Sequence, residues 1–261
     1  KNKAYLDALK KGVILFGQEN FIKFVEDILK WAKKLENVIA EIRALQTQGV
    51  NSIHFMDDIF NYDKKRVEKL CNTLIDGNMG IEWRDLSRIE LLDDSLLEKM
   101  RQSGCYKLAF GVESGTPRIL EYIGKCSDLD KIRGTFKKCK ELGIETKAFF
   151  TIGHPSETED EIKRTIDFSL ELQATDACFM VVRAFPGTSL FEEMKKAGFS
   201  EEELTDYRQF QDENGYVKYH VMNFNSLNGM PSEKLDDLVK EAYGRFYKKP
   251  ELCTSWKWKS I

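Results

Sequence analysis

The stretch Leu108–Gly115, LAFGVESG, decides the fold of this chain. Its apolar run ends in a glycine, an acid, a hydroxyl and a second glycine, which indicates a buried strand of a parallel sheet that opens into a loop. Ligands of α/β sheets and barrels bind at that end of the strands. Glu113 and Ser114 offer an acceptor and a donor there, and Gly111 and Gly115 allow a close backbone approach to a ligand. The alternative is an ordinary strand followed by a tight turn.

Composition places the chain among ordinary globular proteins. Of its 261 residues, 42% are apolar and 32% are charged, and the net charge is −3 with acids and bases interleaved. Such a balance indicates no surface for nucleic acid or for an anionic membrane. No apolar run reaches the roughly 18 residues of a membrane span, and no signal peptide begins the chain. We therefore expect a cytoplasmic protein with neither partner.

The cysteines form no local metal-binding motif. They are Cys71, Cys105, Cys126, Cys139, Cys178 and Cys253. The closest two in sequence are 13 positions apart, so no CxxC or CxxxC pair exists. We expect reduced, buried side chains that pack as small apolar groups, and no metal ligands among them.

From residue 50 onward, strands and helices alternate. The predicted strands begin near residues 50, 81, 107, 145 and 176, with helical segments between them. This run of βα units predicts a parallel sheet with right-handed crossovers. We predict an α/β fold, a partial TIM-like (β/α)6 barrel with a C-terminal helical extension, and a doubly wound sheet is the alternative. Residues 12–17 predict an earlier strand, and residues 21–45 predict one long helix or two abutting ones.

Polar residues follow every strand from residue 50 onward. They are Asp57, Asp58, Arg84, Arg88, Glu113, Ser114, His154, Arg183 and Thr188. On a barrel these residues meet at one rim. Acids that bind an ammonium or ribose hydroxyls, together with an arginine that binds a carboxylate, suit a zwitterionic ligand with a ribose. The alternative is a set of solvated loops.

Six motifs resemble those of radical S-adenosylmethionine (SAM) enzymes, especially the subgroup with an N-terminal cobalamin-binding domain. They are ENVIAEI (36–42), IHFMDDIF (53–60), LSRIELLDDSLLEKMRQSGC (86–105), FGVESGTPRIL (110–120), FFTIGHPSETEDEI (149–162) and FPGTSLFEEMKKAG (185–198). The resemblance implies a radical SAM core barrel over residues 34–200 and a C-terminal extension over 201–261. Residues 1–33 resemble the end of a cobalamin-binding-like domain.

The resemblance also implies roles at the rim. Met56–Asp58 would hold the amino group of the SAM methionine. Glu113 and Ser114 would lie beside the ribose and the methionine, and Arg84 or Arg88 would point into the barrel.

A second part of the rim would shape the adenine side of the site. The resemblance places Gly153–Pro155, which includes His154, and Pro186–Thr188 there. We also expect the Glu113 carboxylate to face the pocket, with Asp57 or Asp58 within about 10 Å across neighbouring strand ends.

One motif of these enzymes is absent. Their CxxxCxxC loop, which holds a 4Fe–4S cluster, follows the first barrel strand and precedes the helix that begins here near Glu36. We prefer the interpretation that a stretch near Ala32–Leu35 is missing from this sequence, because every downstream motif is intact. The competing interpretation is a protein without a cluster.

The resemblance implies an enzyme that uses SAM, a 4Fe–4S cluster and cobalamin. Such an enzyme reductively cleaves SAM to a 5′-deoxyadenosyl radical that abstracts a substrate hydrogen. Methyl transfer to a carbon is the expected outcome, with rearrangement or ring formation as alternatives. The implied partners are a small-molecule or natural-product substrate and a reductant such as flavodoxin or ferredoxin. The alternative is a non-catalytic SAM- or nucleotide-binding barrel module without a cluster.

Overall fold

A computed structural model describes residues 34–205 and 228–248. Within them, parallel strands form one curled half-barrel sheet in the order β1-β2-β3-β4-β5. The strands are β1 Ser52–His54, β2 Glu82–Ser87, β3 Cys105–Glu113, β4 Glu145–Ile152 and β5 Asp176–Val181. The predicted α/β partial barrel is confirmed, and these strands correspond to the five predicted from residue 50 onward. The predicted strand over 12–17, and the part of the predicted helix before residue 34, lie outside the described residues.

Helices connect the strands and cover one face of the sheet. They are α1 Leu35–Gln46, α2 Lys64–Asp76, α3 Asp94–Gln102, α4 Pro117–Tyr122, α5 Leu129–Glu141, α6 Glu159–Glu171, α7 Ser189–Lys196, α8 Glu201–Thr205 and α9 Ser232–Tyr247. Two 3₁₀ turns lie at Phe60–Tyr62 and Ile89–Leu91. None of the helices in the described ranges is long and apolar enough to cross a membrane.

The helices begin where the sequence predicts caps. Asp63 and Asp93 accept hydrogen bonds from backbone N–H groups in the first turns of α2 and α3. Thr158 caps α6, and it forms a reciprocal capping box with Glu161. These local signals fix where each crossover helix starts, and hence where each preceding loop ends.

The two faces of the sheet differ because side chains alternate along each strand. The helix-covered face carries the large apolar residues, among which Trp83, Phe110, Phe150 and Phe179 are fully buried. The other face is concave and carries mainly polar or small residues, such as Lys147 of β4. No described helix covers this concave face in the way that α2–α6 cover the other, so a ligand inside the half-barrel would meet polar groups.

The C-terminal helix α9 caps the outer edge of β5. Tyr247 accepts a hydrogen bond from the Ala177 N–H at 3.2 Å and donates to the Ala177 carbonyl at 2.9 Å. Tyr243 accepts a hydrogen bond from the Phe179 N–H at 3.0 Å. Edge-strand groups that would otherwise be unpaired are thereby satisfied. The predicted C-terminal helical extension is present as this helix.

Candidate functional site

Most of the predicted site residues lie at the rim of the half-barrel, at the carboxyl ends of the strands, whereas Arg84 lies farther from the rim, opposite Lys107 in the register of β2 with β3. The predicted residues are Met56, Asp57 and Asp58 after β1, Arg84 within β2 and Arg88 after it, Glu113 and Ser114 at the end of β3, Gly153 and His154 after β4, and Pro186 after β5. The structure brings some of these together and separates others.

Glu113 lies at the centre of the rim. It is the last residue of β3 and has a φ of 69°, a left-handed conformation that is uncommon outside glycine. Its carboxylate lies 3.2 Å from Lys125 Nζ and accepts a hydrogen bond from Thr151 Oγ1 at 3.3 Å. A Cβ at Gly111 would lie only 2.5 Å from Glu113 Oε1, so glycine is required there for the carboxylate to fold back over the strand.

The turn after β4 continues this hydrogen-bond network. Thr151 Oγ1 also contacts His154 Nε2 at 2.9 Å, and Glu157 Oε2 accepts hydrogen bonds from the N–H groups of Gly153 at 2.6 Å and His154 at 3.0 Å. Glu113 and His154, which the resemblance assigns to one site, are thus joined through Thr151, and Glu157 joins His154 to Gly153.

Two members of this network are buried titratable groups. Burial lowers the pKa of His154 to about 4 and raises the pKa of Glu157 to about 7, although the backbone N–H donors to Glu157 oppose the rise. Among the described residues, His154 Nδ1 and Glu157 Oε1 have no hydrogen-bond partner. The turn therefore contains two buried polar atoms that no described group satisfies.

The loop after β3 approaches a helix rather than a ligand. The fully buried Ser114 hydroxyl lies 3.0 Å from Thr165 Oγ1 of α6 and accepts a hydrogen bond from the Thr116 N–H. A Cβ at Gly115 would lie 2.6 Å from Phe168 Cβ, also on α6. The expectation that Gly115 lets the backbone approach a ligand is wrong, because the glycine makes room for this helix. The role of Ser114 at the site stays a prediction. Its hydroxyl already forms hydrogen bonds within the protein.

The two candidate arginines have different surroundings. Arg88 forms an ion pair with Glu90 at 2.9 Å, next to the start of the 3₁₀ turn. Arg84 lies on the concave face, because its neighbours Trp83 and Asp85 are buried on the helix-covered face. In the strand register Arg84 lies opposite His54. No carboxylate in the described ranges pairs with Arg84, which leaves it the freer of the two to bind an anion.

Residues after β1 and β5 are exposed. The Met56 side chain is 84% exposed, and Asp57, Asp58 and Pro186 are exposed as well. None of them contacts the network around Glu113 through a described hydrogen bond or ion pair. Their assignment to the site, and the expected short separation of the two acids from Glu113, stay predictions.

Sequence reasoning missed three members of the network: Lys125, Thr151 and Glu157. Thr151 and Glu157 lie inside a quoted motif, and the strand period places Thr151 on the concave face, so the pattern contained the signal. Lys125 reaches Glu113 from a loop that follows α4. No local periodicity predicts that contact.

The described cysteines do not fit an iron–sulfur cluster. Within residues 34–205 and 228–248, no group of three or more His, Cys, Asp or Glu side chains could hold a metal ion. Burial raises the pKa of Cys71 to about 11 and that of Cys139 to about 12, whereas cluster ligands are thiolates. The rim does fit part of SAM, because the carboxylate of Glu113 can accept hydrogen bonds from an ammonium or from ribose hydroxyls.

Comparison with known proteins extends these observations. The sequence profile of the Radical SAM superfamily matches residues 11–169, more than half of the chain. An uncharacterised methyltransferase of Pyrococcus horikoshii is 31% identical over 220 residues, which cover 84% of this chain and 46% of that protein. Cytidylyl-2-hydroxyethylphosphonate methyltransferase of Streptomyces wedmorensis is 28% identical over 193 residues, covering 68% and 36%. The chain thus spans less than half the length of either relative.

A solved structure shows the same fold. It is TsrM from Kitasatospora setae, a radical SAM methyltransferase with its tryptophan substrate and a SAM analogue bound. The TM-score is 0.65 at 18% identity, over 80% of this chain and 46% of that chain. The superfamily match, the parallel half-barrel and the polar rim at its strand ends agree, and this chain belongs to the Radical SAM superfamily.

Proposed function

We propose that this chain is the SAM-binding barrel of a radical SAM methyltransferase and that SAM binds across the rim described above. One observation carries the proposal: Glu113 ends the central strand in a left-handed conformation, with its carboxylate held above the concave face by Thr151 and Lys125. Backbone strain of this kind is concentrated at functional sites. A carboxylate in this position can accept hydrogen bonds from the ammonium or the ribose hydroxyls of SAM.

The other rim residues complete the proposed site. Arg84, opposite Lys107 in the register, would point into the barrel and could bind an anion there, because it has no anionic partner among the described side chains and guanidinium groups bind carboxylates bidentately. Gly153 and His154 would shape the adenine side of the site. They lie on a turn whose backbone N–H groups donate hydrogen bonds to Glu157. Met56–Asp58 would close over the methionine amino group.

The cofactors of the whole protein are inferred from its relatives. Both curated relatives described above are named methyltransferases. Another TsrM structure, with cobalamin and a 4Fe–4S cluster bound, matches with a TM-score of 0.59 at 21% identity over 63% of this chain and 34% of that one. We extend both cofactors, a small-molecule substrate, a protein reductant and a cytoplasmic location to the whole protein. No group of described side chains could hold the cluster, and the proposed task of the described residues is to bind and orient SAM.

Replacement of Glu113 tests the proposal. Glu113→Ala and Glu113→Gln should each weaken the binding of S-adenosylhomocysteine by about 2 kcal/mol, roughly 30-fold in Kd, because a charge-assisted hydrogen bond is lost. Isothermal titration calorimetry measures the affinity, and urea denaturation should show nearly unchanged stability. The matched control is Glu121→Ala, which removes an exposed acid from α4. Equal affinity in the wild type and both Glu113 variants would contradict the proposal.

A second candidate function is a SAM-binding module without radical chemistry. It is favoured by the absence of a CxxxCxxC motif from the sequence. Anaerobic iron–sulfur reconstitution of the protein from its complete gene decides between the two functions. The enzyme should become brown and form 5′-deoxyadenosine from SAM with a strong reductant. Protein that binds SAM, stays colourless and releases no 5′-deoxyadenosine would be the module.

A further inference from the structure

Lys125 supplies a positive charge to the rim network around Glu113. Its Nζ lies 3.2 Å from Glu113 Oε1, and the two side chains are 30% and 18% exposed, so this ion pair is largely withdrawn from water. An added Cβ at Gly111 would lie 3.0 Å from Nζ. Gly111 faces the concave side, since its neighbours Phe110 and Val112 are buried on the helix-covered face. The ammonium therefore faces the interior of the half-barrel at the rim.

The loop that carries Lys125 is held on both sides of that residue. The Lys125 N–H donates to the Leu120 carbonyl at 2.8 Å, just after α4, where Gly124 has a φ of 68°. The next N–H, that of Cys126, donates to Glu90 Oε1 at 3.1 Å. Because the backbone on each side of Lys125 is fixed, the loop loses little conformational freedom when the ammonium binds a ligand.

An ion pair of this kind is complementary to an amino acid. A zwitterion has its ammonium and its carboxylate on the same carbon atom, and it can bind to such a pair by an exchange of partners. The ligand ammonium then pairs with Glu113 and the ligand carboxylate pairs with Lys125, so every charge withdrawn from water keeps an opposite charge beside it. The hydrogen bond from Thr151 is compatible with this exchange, because Thr151 contacts Oε2 of Glu113 whereas Lys125 contacts Oε1.

We propose that Lys125 binds the carboxylate of SAM and makes the site specific for adenosyl ligands that carry an α-amino acid. This inference rests on the proposed function, which gives the SAM carboxylate no partner at the rim. Arg84 lies farther from the rim, opposite Lys107 in the register, whereas Lys125 lies directly beside Glu113. Lys125 is then a ligand-binding residue as well as a support for the Glu113 carboxylate.

Removal of the ligand carboxylate tests this assignment. The protein is titrated by calorimetry at low salt with S-adenosylhomocysteine and with S-adenosyl-3-thiopropylamine, which is the same molecule without its carboxylate. We expect the wild type to bind S-adenosylhomocysteine at least tenfold more tightly than the amine. Lys125→Met should weaken the binding of S-adenosylhomocysteine at least tenfold and that of the amine less than twofold, so the preference for the carboxylate disappears. Lys125→Arg should retain most of that preference.

The matched control is Lys137→Met, because that side chain is 80% exposed on α5. It should leave both affinities unchanged. Urea denaturation shows whether each variant is folded. If Lys125→Met does not fold, Lys125→Arg and the preference of the wild type decide, and a wild type that binds the two ligands equally well would overturn the proposal.

The outcomes distinguish this proposal from the proposed function. Equal affinity of the wild type and Lys125→Met for S-adenosylhomocysteine would overturn the assignment of Lys125 and leave the SAM site intact. An equal loss of affinity for both ligands would overturn it as well, because Lys125 would then act only by positioning Glu113. A wild type that binds neither ligand would refute the SAM site itself, and the assignment of Lys125 with it.

Discussion

The two sides of the half-barrel are built differently. On the side of β3–β5, which we call the closed side, helices α6 and α9 pack against the strands, and tyrosine hydroxyls satisfy the outer edge of β5. On the side of β1 and β2, the open side, β1 has only three residues, two of them exposed, and the loop after it contains the exposed Met56. The closed side is complete within the described residues, whereas the open side presents an edge with no described strand beside it.

This difference shows which side of the half-barrel depends on further structure. The rim network around Glu113 lies on the closed side and is held by bonds within the chain. The residues expected to bind the methionine amino group lie on the open side. The first barrel strand and the cysteine loop that the resemblance implies would lie beside β1, so the proposed cluster site and the exposed loop would meet on the open side. Predictions about the two sides can therefore be compared directly.

The largest expected effect concerns Asp85, buried on the open side. Burial raises its pKa to about 7, the Ser87 hydroxyl opposes the rise, and the negative charge of Asp57 adds to it. Between pH 4 and pH 7 the folded state retains a proton that the unfolded state has released, so this group lowers stability as pH rises. Asp85→Asn removes the effect and should gain on the order of 3 kcal/mol over wild type between pH 4 and pH 8.

Urea denaturation at several pH values measures this gain. The difference between Asp85→Asn and wild type isolates the group, because His154 and Glu157 titrate in both proteins. The matched control is Asp57→Asn, which removes the same charge from an exposed position and should change the pH profile much less. Parallel profiles for Asp85→Asn and wild type would show that Asp85 is not a buried acid of raised pKa.

The next effect concerns the packing of the closed side. Gly115→Ala places a methyl group 2.6 Å from Phe168 Cβ and 2.9 Å from the Arg164 carbonyl oxygen, so the loop and α6 must separate. Overpacking of this kind should cost about 2 kcal/mol of unfolding free energy. Gly134→Ala is the control, since no atom lies within 4 Å of its added Cβ on α5, and it should stabilise the protein slightly. Equal denaturation midpoints for the two variants would contradict this packing.

The smallest effect compares a tyrosine from each side. Tyr247→Phe leaves the N–H and C=O of Ala177 without their hydroxyl partner and should cost about 1–2 kcal/mol, measured by thermal and urea denaturation. Tyr62, on the open side, is 79% exposed, so Tyr62→Phe should have almost no effect. If both variants unfold at the wild-type midpoint, α9 does not stabilise the β5 edge, and the two sides are less different than the structure indicates.

Much of the fold could be predicted because its signals are local. Asp63, Asp93 and Thr158 lie just before helices, and short polar side chains are the natural acceptors for the first N–H groups of a helix. The strand Glu145–Ile152 begins where the sequence predicts a strand near residue 145, because its alternation is regular and turn residues flank it. Because crossovers between parallel strands are right-handed, the alternation of these strands and helices predicts the (β/α) arrangement of the sheet.

The site could be predicted only in outline. The sequence predicts that Glu113 lies at the end of β3 and that the rim is polar. The pairing of Glu113 with Lys125 and the seating of Gly115 against Phe168 were not, because both contacts join segments separated in sequence. A glycine in the sequence indicates that the backbone at that position must approach another group closely. Only the tertiary structure identifies that group.

The sequence by itself determined that the chain is a βα series of the Radical SAM superfamily with polar strand ends, because strand period, helix caps and motifs are properties of short segments. The tertiary structure decided which of those polar groups form ion pairs with one another. Lys107 and Lys147 look alike as lysines on concave strands. The ammonium of Lys107 pairs with both Glu145 and Asp176, although the register places Asp176 opposite Lys147, and the ammonium of Lys147 lies over the Phe149 ring. Charge pairing depends on distances across strands, and these exist only once the sheet has formed.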